Sequence, residues 1–142
     1  MGQKRIRKAN FHSFESRSEN SPYARITKNM VNSLAWQELN CYEQTLYLHM
    51  KLKYNGKPGS QHDICFTYAE GQKLMSKKTF TRSMDKLIEV GLIDLVTHRP
   101  FSVACNIYGL SSRWHNFGTN DFKIVSRPIF NRSRNLTYTK QA

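Results

Sequence analysis

The chain has 142 residues, of which 39% are hydrophobic, and a formal net charge of +12. This length suits one domain with a modest core, and the charge favours a polyanionic partner, either nucleic acid or an anionic membrane surface. A basic but inert solvated surface is the alternative. The chain has no apolar run of the roughly 20 residues that cross a membrane, and no signal-peptide core follows its basic start. We therefore expect a soluble, cytoplasmic protein without a membrane partner.

Residues 1–22 are predicted to form a flexible basic arm. This stretch contains five Lys or Arg and two Glu, and it has no lasting apolar periodicity. Such an arm either follows phosphates or a minor groove or serves only as a solubilising tail. Phe11 and Phe14 are unusual in a flexible arm, and we expect them to pack on the domain or on a second subunit.

The first long helix is predicted over Asn40–Tyr54. Asn40 and Glu43 have the spacing of a capping box. The preceding segment, Met30–Trp36, is compatible with a short helix or with an extended chain. After the helix, Asp63–Thr67 is β-prone. Residues expected to anchor the core outside the long helices are Trp36, Leu39 and Trp114.

Two further helices are predicted in close succession. Thr67 and Glu70 form a second capping-box pattern that opens a helix over Tyr68–Leu74, whose inward residues are expected to be Tyr68, Ala69 and Leu74. Ser76 caps a longer helix, Lys77–Val90, and Gly91 stands where a helix end favours positive φ. One apolar stripe at helical spacing consists of Phe80, Met84, Leu87 and Ile88.

Two β-prone runs, Leu92–Val96 and Val103–Leu110, follow the second of these helices. His98, Arg99 and Pro100 lie between them, and His98 is interpreted as polar surface. The order helix, strand, helix, helix, strand, strand predicts an α+β fold. We expect a winged helix-turn-helix domain over residues 23–118, with a three-helix core and a small antiparallel sheet, between basic N- and C-terminal extensions.

The C-terminal extension, residues 119–142, is predicted to be a basic tail. Five Lys or Arg stand against one Asp, and aromatic and aliphatic residues alternate with them. This composition suits nucleic-acid contact or docking of a partner. A strand pair formed by residues 123–125 and 136–138 is a further possibility.

The outward face of the predicted 77–90 helix is basic at its N-terminal end, as in helices that place their first turns in a major groove. Lys78 and Arg82 suit guanine, and Thr81 suits a base edge or a thymine methyl. Lys73, Lys77 and Lys86 are expected on phosphates, and Arg99 on a minor groove or phosphate. A plain solvated helix face is the competing interpretation. The candidate DNA-binding residues are Lys73, Ser76, Lys77, Lys78, Thr79, Thr81, Arg82, Lys86 and Arg99.

The sequence contains no catalytic motif. It lacks a phosphate-binding glycine loop and a His-rich cluster, so we expect neither an enzyme nor a cofactor. Tyrosine-based DNA cleavage is left open by the 7 Tyr, but the metal site it would use is missing. Cys41, Cys65 and Cys105 are interpreted as buried free thiols. His62 with Cys65 is only half of a zinc site, so no metal is expected.

Three stretches carry a resemblance to known proteins. Leu87–Ile93 fits the pattern "L-I-x-x-G-L-I" of a widespread winged-helix family. Ser33–Leu39 (SLAWQEL), residues 79–93 (TFTRSMDKLIEVGLI) and residues 106–114 (NIYGLSSRW) resemble small winged-helix proteins of Gram-positive plasmids, phages and conjugative elements. Those proteins are associated with replication initiation or DNA processing at transfer origins. The resemblance covers Ile26–Phe117 and implies an accessory or regulatory DNA binder.

The leading hypothesis is a sequence-specific binder of double-stranded DNA at an origin of replication or transfer, or at an operator. It would act as a homodimer or in tandem copies, with a relaxase or replication protein as a further partner. The alternatives are a protein-interaction adaptor, a transcriptional repressor only, or a binder of RNA or single strands through the C-terminal aromatic residues.

Overall fold

The computed structural model describes residues 23–99 and 104–126. These residues form an α+β fold, which confirms the predicted class, and their three strands form one antiparallel sheet. The order of elements is compatible with a winged helix. In chain order they are α1 (Lys28–Val31), α2 (Leu34–Gln37), α3 (Cys41–Lys51), β1 (Ile64–Cys65), α4 (Tyr68–Gln72), α5 (Lys77–Glu89), β2 (Ile93–Thr97) and β3 (Ile107–Leu110), with short 3₁₀ turns at Ser60–His62 and Arg113–Asn116.

The segment whose conformation the sequence left undecided forms two one-turn helices, α1 and α2. Ser33 divides them, because its backbone is extended and its hydroxyl accepts a hydrogen bond from Trp36 N–H at the start of α2. Side-chain capping of this kind satisfies a donor that the helix itself leaves unpaired. Trp36 and Leu39 are buried in the core, as predicted, and Trp114 is buried as well.

Both predicted capping boxes are present. Asn40 and Glu43 exchange side-chain-to-backbone bonds at the start of α3, and Thr67 and Glu70 do so at the start of α4. Both helices end earlier than predicted, α3 at Lys51 and α4 at Gln72. Beyond the end of α3, Lys53 Nζ donates to the Cys65 carbonyl at 2.7 Å and forms an ion pair with Glu70. This lysine therefore connects α3 with β1 and α4.

Helix α5 buries the apolar stripe predicted for it. Phe80, Met84, Leu87 and Ile88 are all buried, together with Ser83. The Ser76 hydroxyl accepts from Thr79 N–H at 3.2 Å and caps the first turn. At the other end Gly91 has φ +83°.

The bonds Leu92 N–H to Leu87 O and Gly91 N–H to Ile88 O close the α5 C-terminus at 3.0 and 3.2 Å. This pattern is a Schellman motif. It leads the chain directly from α5 into β2 and thereby sets the orientation of the helix relative to this strand.

Helices α4 and α5 pack closely at Gly71. A Cβ atom at this position would lie 2.3 Å from Cδ2 of the buried Phe80 ring, so only glycine fits. This packing fixes which side of α4 faces inward. Gly71 and Met75 are buried, whereas Tyr68 and Ala69, which were predicted to face inward, are exposed. The prediction for these two residues is wrong because the close approach at Gly71 turns the first turn of α4 outward.

The sheet has the order β1-β3-β2. Its central strand β3 pairs with β1 through Ile64 opposite Tyr108, and with β2 through Ile93 opposite Leu110. A bulge at Val96 interrupts the β2–β3 register. Strands β1 and β3 are shorter than the predicted runs, whereas β2 has the predicted length but begins one residue later. Residues 100–103, which include Pro100 at the predicted tip, lie outside the described residues.

The cysteines differ from the prediction. Cys65 and Cys105 form a disulfide with their Cα atoms 6.0 Å apart, and Cys41 is an exposed free thiol. The pairing of β1 with β3 brings the bonded cysteines together although 40 residues separate them. Among the described residues no group of three or more His, Cys, Asp or Glu is arranged to hold a metal ion.

Arg113 joins three parts of the fold. Its guanidinium pairs with Asp94 at 2.7 Å and donates to the carbonyls of Ile88 at 2.8 Å and Lys123 at 2.9 Å. These partners belong to α5, to β2 and to the C-terminal segment 119–126. Phe122 lies under the guanidinium, with its ring centroid 5.7 Å from Cζ. Arg113 therefore attaches the C-terminal segment to the end of α5.

Residues 123–125 are not a strand, and the proposed partner 136–138 lies outside the described residues, as does the arm 1–22. Val125 packs against the core. Within residues 23–99 and 104–126 no helix has the length and apolar character to cross a membrane.

Candidate nucleic-acid interface

The N-terminal half of α5 presents an exposed basic surface. Lys77, Lys78 and Arg82 are exposed, while the opposite side of the helix is packed into the core through the buried stripe. Lys78 and Arg82 are four residues apart and therefore point in nearly the same direction, about 6 Å apart along the axis. Lys73, at the C-terminal end of α4, is exposed as well. We call Lys73, Lys77, Lys78 and Arg82 the basic surface.

The cations of the basic surface take no part in the ion pairs found among the described residues. In the part of the chain that the structure describes, the ion pairs join Lys53 to Glu70, Lys86 to Glu38 and Glu89, and Arg113 to Asp94. None of them includes a member of the basic surface. These four positive charges lie within two consecutive helical elements, and their mutual repulsion would be relieved by a bound anion.

The C-terminal half of α5 has a different character. Lys86, predicted to contact phosphate, lies 3.7 Å from Glu38 and 3.4 Å from Glu89, and only 25% of its side chain is exposed. Asp85 and Glu89 are exposed on the same half. The positive potential of the helix is therefore concentrated in its first two turns, and Lys86 stands apart from the basic surface.

The three predicted hydroxyl residues are all near the start of α5. Ser76 Oγ bonds to Thr79 Oγ1 at 2.9 Å in addition to its capping bond, and Thr81 Oγ1 donates to the Lys77 carbonyl at 3.0 Å. Because the Thr81 hydrogen is used within the helix, this hydroxyl offers only lone pairs to a ligand. Thr81 is half-buried and Ser76 is exposed.

Tyr68, which was predicted to face the core, adds an aromatic ring beside the basic surface. It is 45% exposed, and its ring centroid lies 5.3 Å from that of Phe80 in an edge-to-face arrangement. The Lys77 ammonium lies 5.2 Å from the Tyr68 centroid, within the range of a cation–π contact. The Thr67 cap was the available signal, since it makes Tyr68 the first residue of α4, where no preceding turn covers it.

Arg99 is exposed at the far end of the β2–β3 hairpin. Its backbone N–H donates to Asn106 Oδ1 at 2.8 Å, so the two sides of the hairpin are joined beyond the last strand pair. That bond uses the backbone N–H of Arg99, and its guanidinium is in no ion pair with another described residue. His98 beside it is half-buried, in contrast to its interpretation as polar surface. The structure thus divides the predicted DNA-binding residues into three groups. The first is the basic surface with the nearby hydroxyl residues, the second is Lys86, and the third is Arg99 on the hairpin.

The ion pair and hydrogen bonds of Glu70 stabilise the start of α4. Partial burial raises the pKa of Glu70, but hydrogen bonds from Lys53 and Thr67 outweigh it and the net pKa is lowered. The ionised carboxylate is therefore the form that caps α4.

Comparison of the chain with protein-family models, with curated proteins and with solved structures finds no match. The resemblance to winged-helix proteins of mobile elements accordingly rests on the sequence motifs alone. The fold and the charge distribution carry the functional argument.

Proposed function

We propose that this protein is a winged helix-turn-helix protein that binds double-stranded DNA in a sequence-specific manner, with α5 in the major groove. The observation that carries the proposal is the basic surface, which has three exposed cations in the first half of α5 and one at the end of α4. Among the described residues none of the four is in an ion pair, and the opposite side of α5 is buried. The buried stripe packs the helix against the core, while the side chains of Lys77, Lys78 and Arg82 are exposed. This is the arrangement in which recognition helices present their N-terminal residues to base edges.

The side chains divide into two roles. Lys78 and Arg82 project from the exposed face and are proposed to donate to guanine O6 and N7. Thr81 can only accept, so it suits the amino group of adenine or cytosine, or a thymine methyl through its Cγ2. Lys73 and Lys77 are proposed to hold phosphates, which fix the register without reading sequence. Tyr68 keeps Lys77 beside the groove through the cation–π contact.

The β2–β3 hairpin is proposed to act as the wing, with Arg99 on a phosphate or in the minor groove. The process served is proposed to be replication, transfer or transcription control of a mobile element, as the resemblance implies. A dimer or tandem copies would read a longer site than one α5 can. Lys86 is proposed to stay in its intramolecular pairs and to contribute little.

The test begins with selection of bound duplexes from a random pool by the full chain, followed by fluorescence anisotropy on the selected duplex and a scrambled one. Arg82→Ala should weaken binding to the selected duplex by about 1–3 kcal/mol and reduce discrimination against the scrambled one. Lys73→Ala should weaken binding to both duplexes equally and reduce the slope of log affinity against log salt concentration by about 1.

Lys86→Ala serves as the matched control, because it removes the same charge from the same helix while its ammonium is already paired. It should change affinity least of the three. Equal losses from Arg82→Ala on both duplexes would remove the base-reading role. Absence of salt-sensitive duplex binding by the wild-type protein would overturn the proposed function and favour a protein-interaction adaptor.

A further inference from the structure

The Cys65–Cys105 disulfide occupies the edge of the sheet where pairing is least extensive. Strand β1 has only two residues, and its register with β3 consists of Ile64 opposite Tyr108 and Cys65 opposite Ile107. Cys105 lies two residues before Ile107, on the side of β3 that leads to the end of the hairpin. The disulfide therefore extends a very short strand pairing by one covalent link.

Contacts lead from both cysteines to parts of the candidate interface. On one side, the Cys65 carbonyl accepts from Lys53 Nζ, which is paired with the Glu70 cap of α4. On the other side, Cys105 is followed by Asn106, whose side chain accepts from Arg99 N–H at 2.8 Å. The disulfide thus lies between the start of the α4–α5 unit and the cation of the hairpin.

We propose that the Cys65–Cys105 disulfide positions the β2–β3 hairpin, and Arg99 with it, for DNA, and that its reduction weakens DNA binding. The proposal rests on the proposed function, because Arg99 is assigned a DNA contact there. It adds to that function a control by thiol and disulfide chemistry.

Reduction is compatible with retention of the fold. Both cysteines are only half-buried, whereas Ile64 and Phe66, which flank Cys65, are buried in the core. Helices α3 and α5 and the β2–β3 pairing do not include the disulfide. Loss of the cross-link therefore loosens the attachment of the hairpin to β1 and leaves the basic surface in place.

The chemical step is a thiol–disulfide exchange with a dithiol as reductant. One thiolate of the dithiol attacks a cysteine sulfur, the protein S–S bond breaks, and the other cysteine leaves as a thiolate that takes up a proton. The second thiolate of the reagent then displaces the first cysteine, which is protonated in turn. The protein gains two electrons and two protons, and the reagent becomes a cyclic disulfide.

The experiment uses the full chain carrying Cys41→Ser, so that the exposed thiol cannot link two copies. Intact mass and thiol counting establish the oxidised state before and the reduced state after dithiothreitol treatment. Anisotropy on the selected duplex should then show that reduction weakens binding by about three- to tenfold and lowers the salt slope by about 1, the loss of one phosphate contact. Cys65→Ser with Cys105→Ser should bind like the reduced protein and no longer respond to dithiothreitol.

Arg99→Ala separates the positioning role from general destabilisation. If the disulfide acts through Arg99, the oxidised Arg99→Ala protein should bind like the reduced protein, and reduction should change its affinity less than twofold. A full response to reduction in Arg99→Ala, or equal affinities of the oxidised and reduced parent protein, would overturn the proposal. Thiol counting on the air-oxidised wild-type protein is a further check. If it finds three free thiols, the disulfide does not form and the proposal is overturned.

Amide hydrogen exchange, which needs no DNA, distinguishes failure of this proposal from failure of the proposed function. Reduction should speed exchange in β1, β3 and Arg99 and leave α5 unchanged. If the oxidised protein binds no duplex, the proposed function fails whatever exchange shows. If exchange in the hairpin is unaffected by reduction, the positioning role of the disulfide fails even where DNA binding is strong.

Discussion

Substitution of Gly91 by alanine tests how α5 is connected to the sheet. Gly91 has φ +83°, and a Cβ there would lie 2.8 Å from both Arg113 Cβ and Trp114 N. A non-glycine residue with left-handed backbone costs about 1–2 kcal/mol, and forcing an atom into a packed site costs typically about 1–3 kcal/mol more. We expect Gly91→Ala to lower the free energy of unfolding by roughly 2–5 kcal/mol.

Gly59→Ala provides a matched control. Gly59 has the same φ of +83°, but nothing lies within 4 Å of the position of its Cβ. The two substitutions share the left-handed penalty and the change in chain entropy of the unfolded state, so their difference isolates the contact with Arg113 and Trp114. Gly59→Ala should cost no more than about 1–2 kcal/mol.

Urea unfolding followed by tryptophan fluorescence and by circular dichroism measures both variants. In thermal unfolding, the excess loss of stability in Gly91→Ala should lower Tm by roughly 4–8 °C per kcal/mol for a domain of this size. If the two variants lie within about 0.5 kcal/mol of one another, the close approach of Arg113 and Trp114 to Gly91 is not a packed contact and the reasoning fails.

Two further predictions concern charged groups. Arg113→Lys should destabilise the protein by about 2–4 kcal/mol in urea unfolding, because one ammonium cannot replace the bonds to Asp94 and to the carbonyls of Ile88 and Lys123. Lys123→Ala is the control: it keeps the backbone carbonyl that Arg113 binds and should be nearly neutral. The pKa of Glu70 is lower in the folded protein than in the unfolded chain. Its contribution to the free energy of unfolding should therefore be complete above the unfolded pKa of about 4.3, and it should disappear as pH falls through the folded pKa. The stability difference between wild type and Glu70→Gln should therefore shrink between neutral and acidic pH; a constant difference would contradict the assignment.

Much of the helical framework was predictable because its signals are local. Ser76 and Gly91 delimit α5 through the hydrogen-bonding and backbone preferences of single residues, and the capping boxes of α3 and α4 depend on residues three apart. The buried stripe of α5 follows from helical period alone. For the same reason the positions of Lys78 and Arg82 on the exposed face of α5 were predictable.

The remaining features depend on partners that are distant in sequence. The outward position of Tyr68 is a consequence of the packing of Gly71 on Phe80, which no period encodes. The Lys86 ion pair with Glu38 spans helices whose relative placement is tertiary. The Cys65–Cys105 disulfide requires the pairing of β1 with β3, and two cysteines in isolation do not specify a bond. Long-range contacts of this kind are visible only when the whole core is assembled.

The strand order has a consequence for how the chain is made. Of the three strands among the described residues, β3 comes last in sequence, yet it lies in the middle of the sheet between β1 and β2. During synthesis, α3, α4 and α5 emerge before β3 and can begin to associate, but the pairings of β1 and β2 with β3 in the described sheet cannot form until residues 107–110 are available. Non-local strand pairing is slow, and unpaired strands favour association between nascent chains. We therefore expect that the sheet forms only after β3 has emerged from the ribosome.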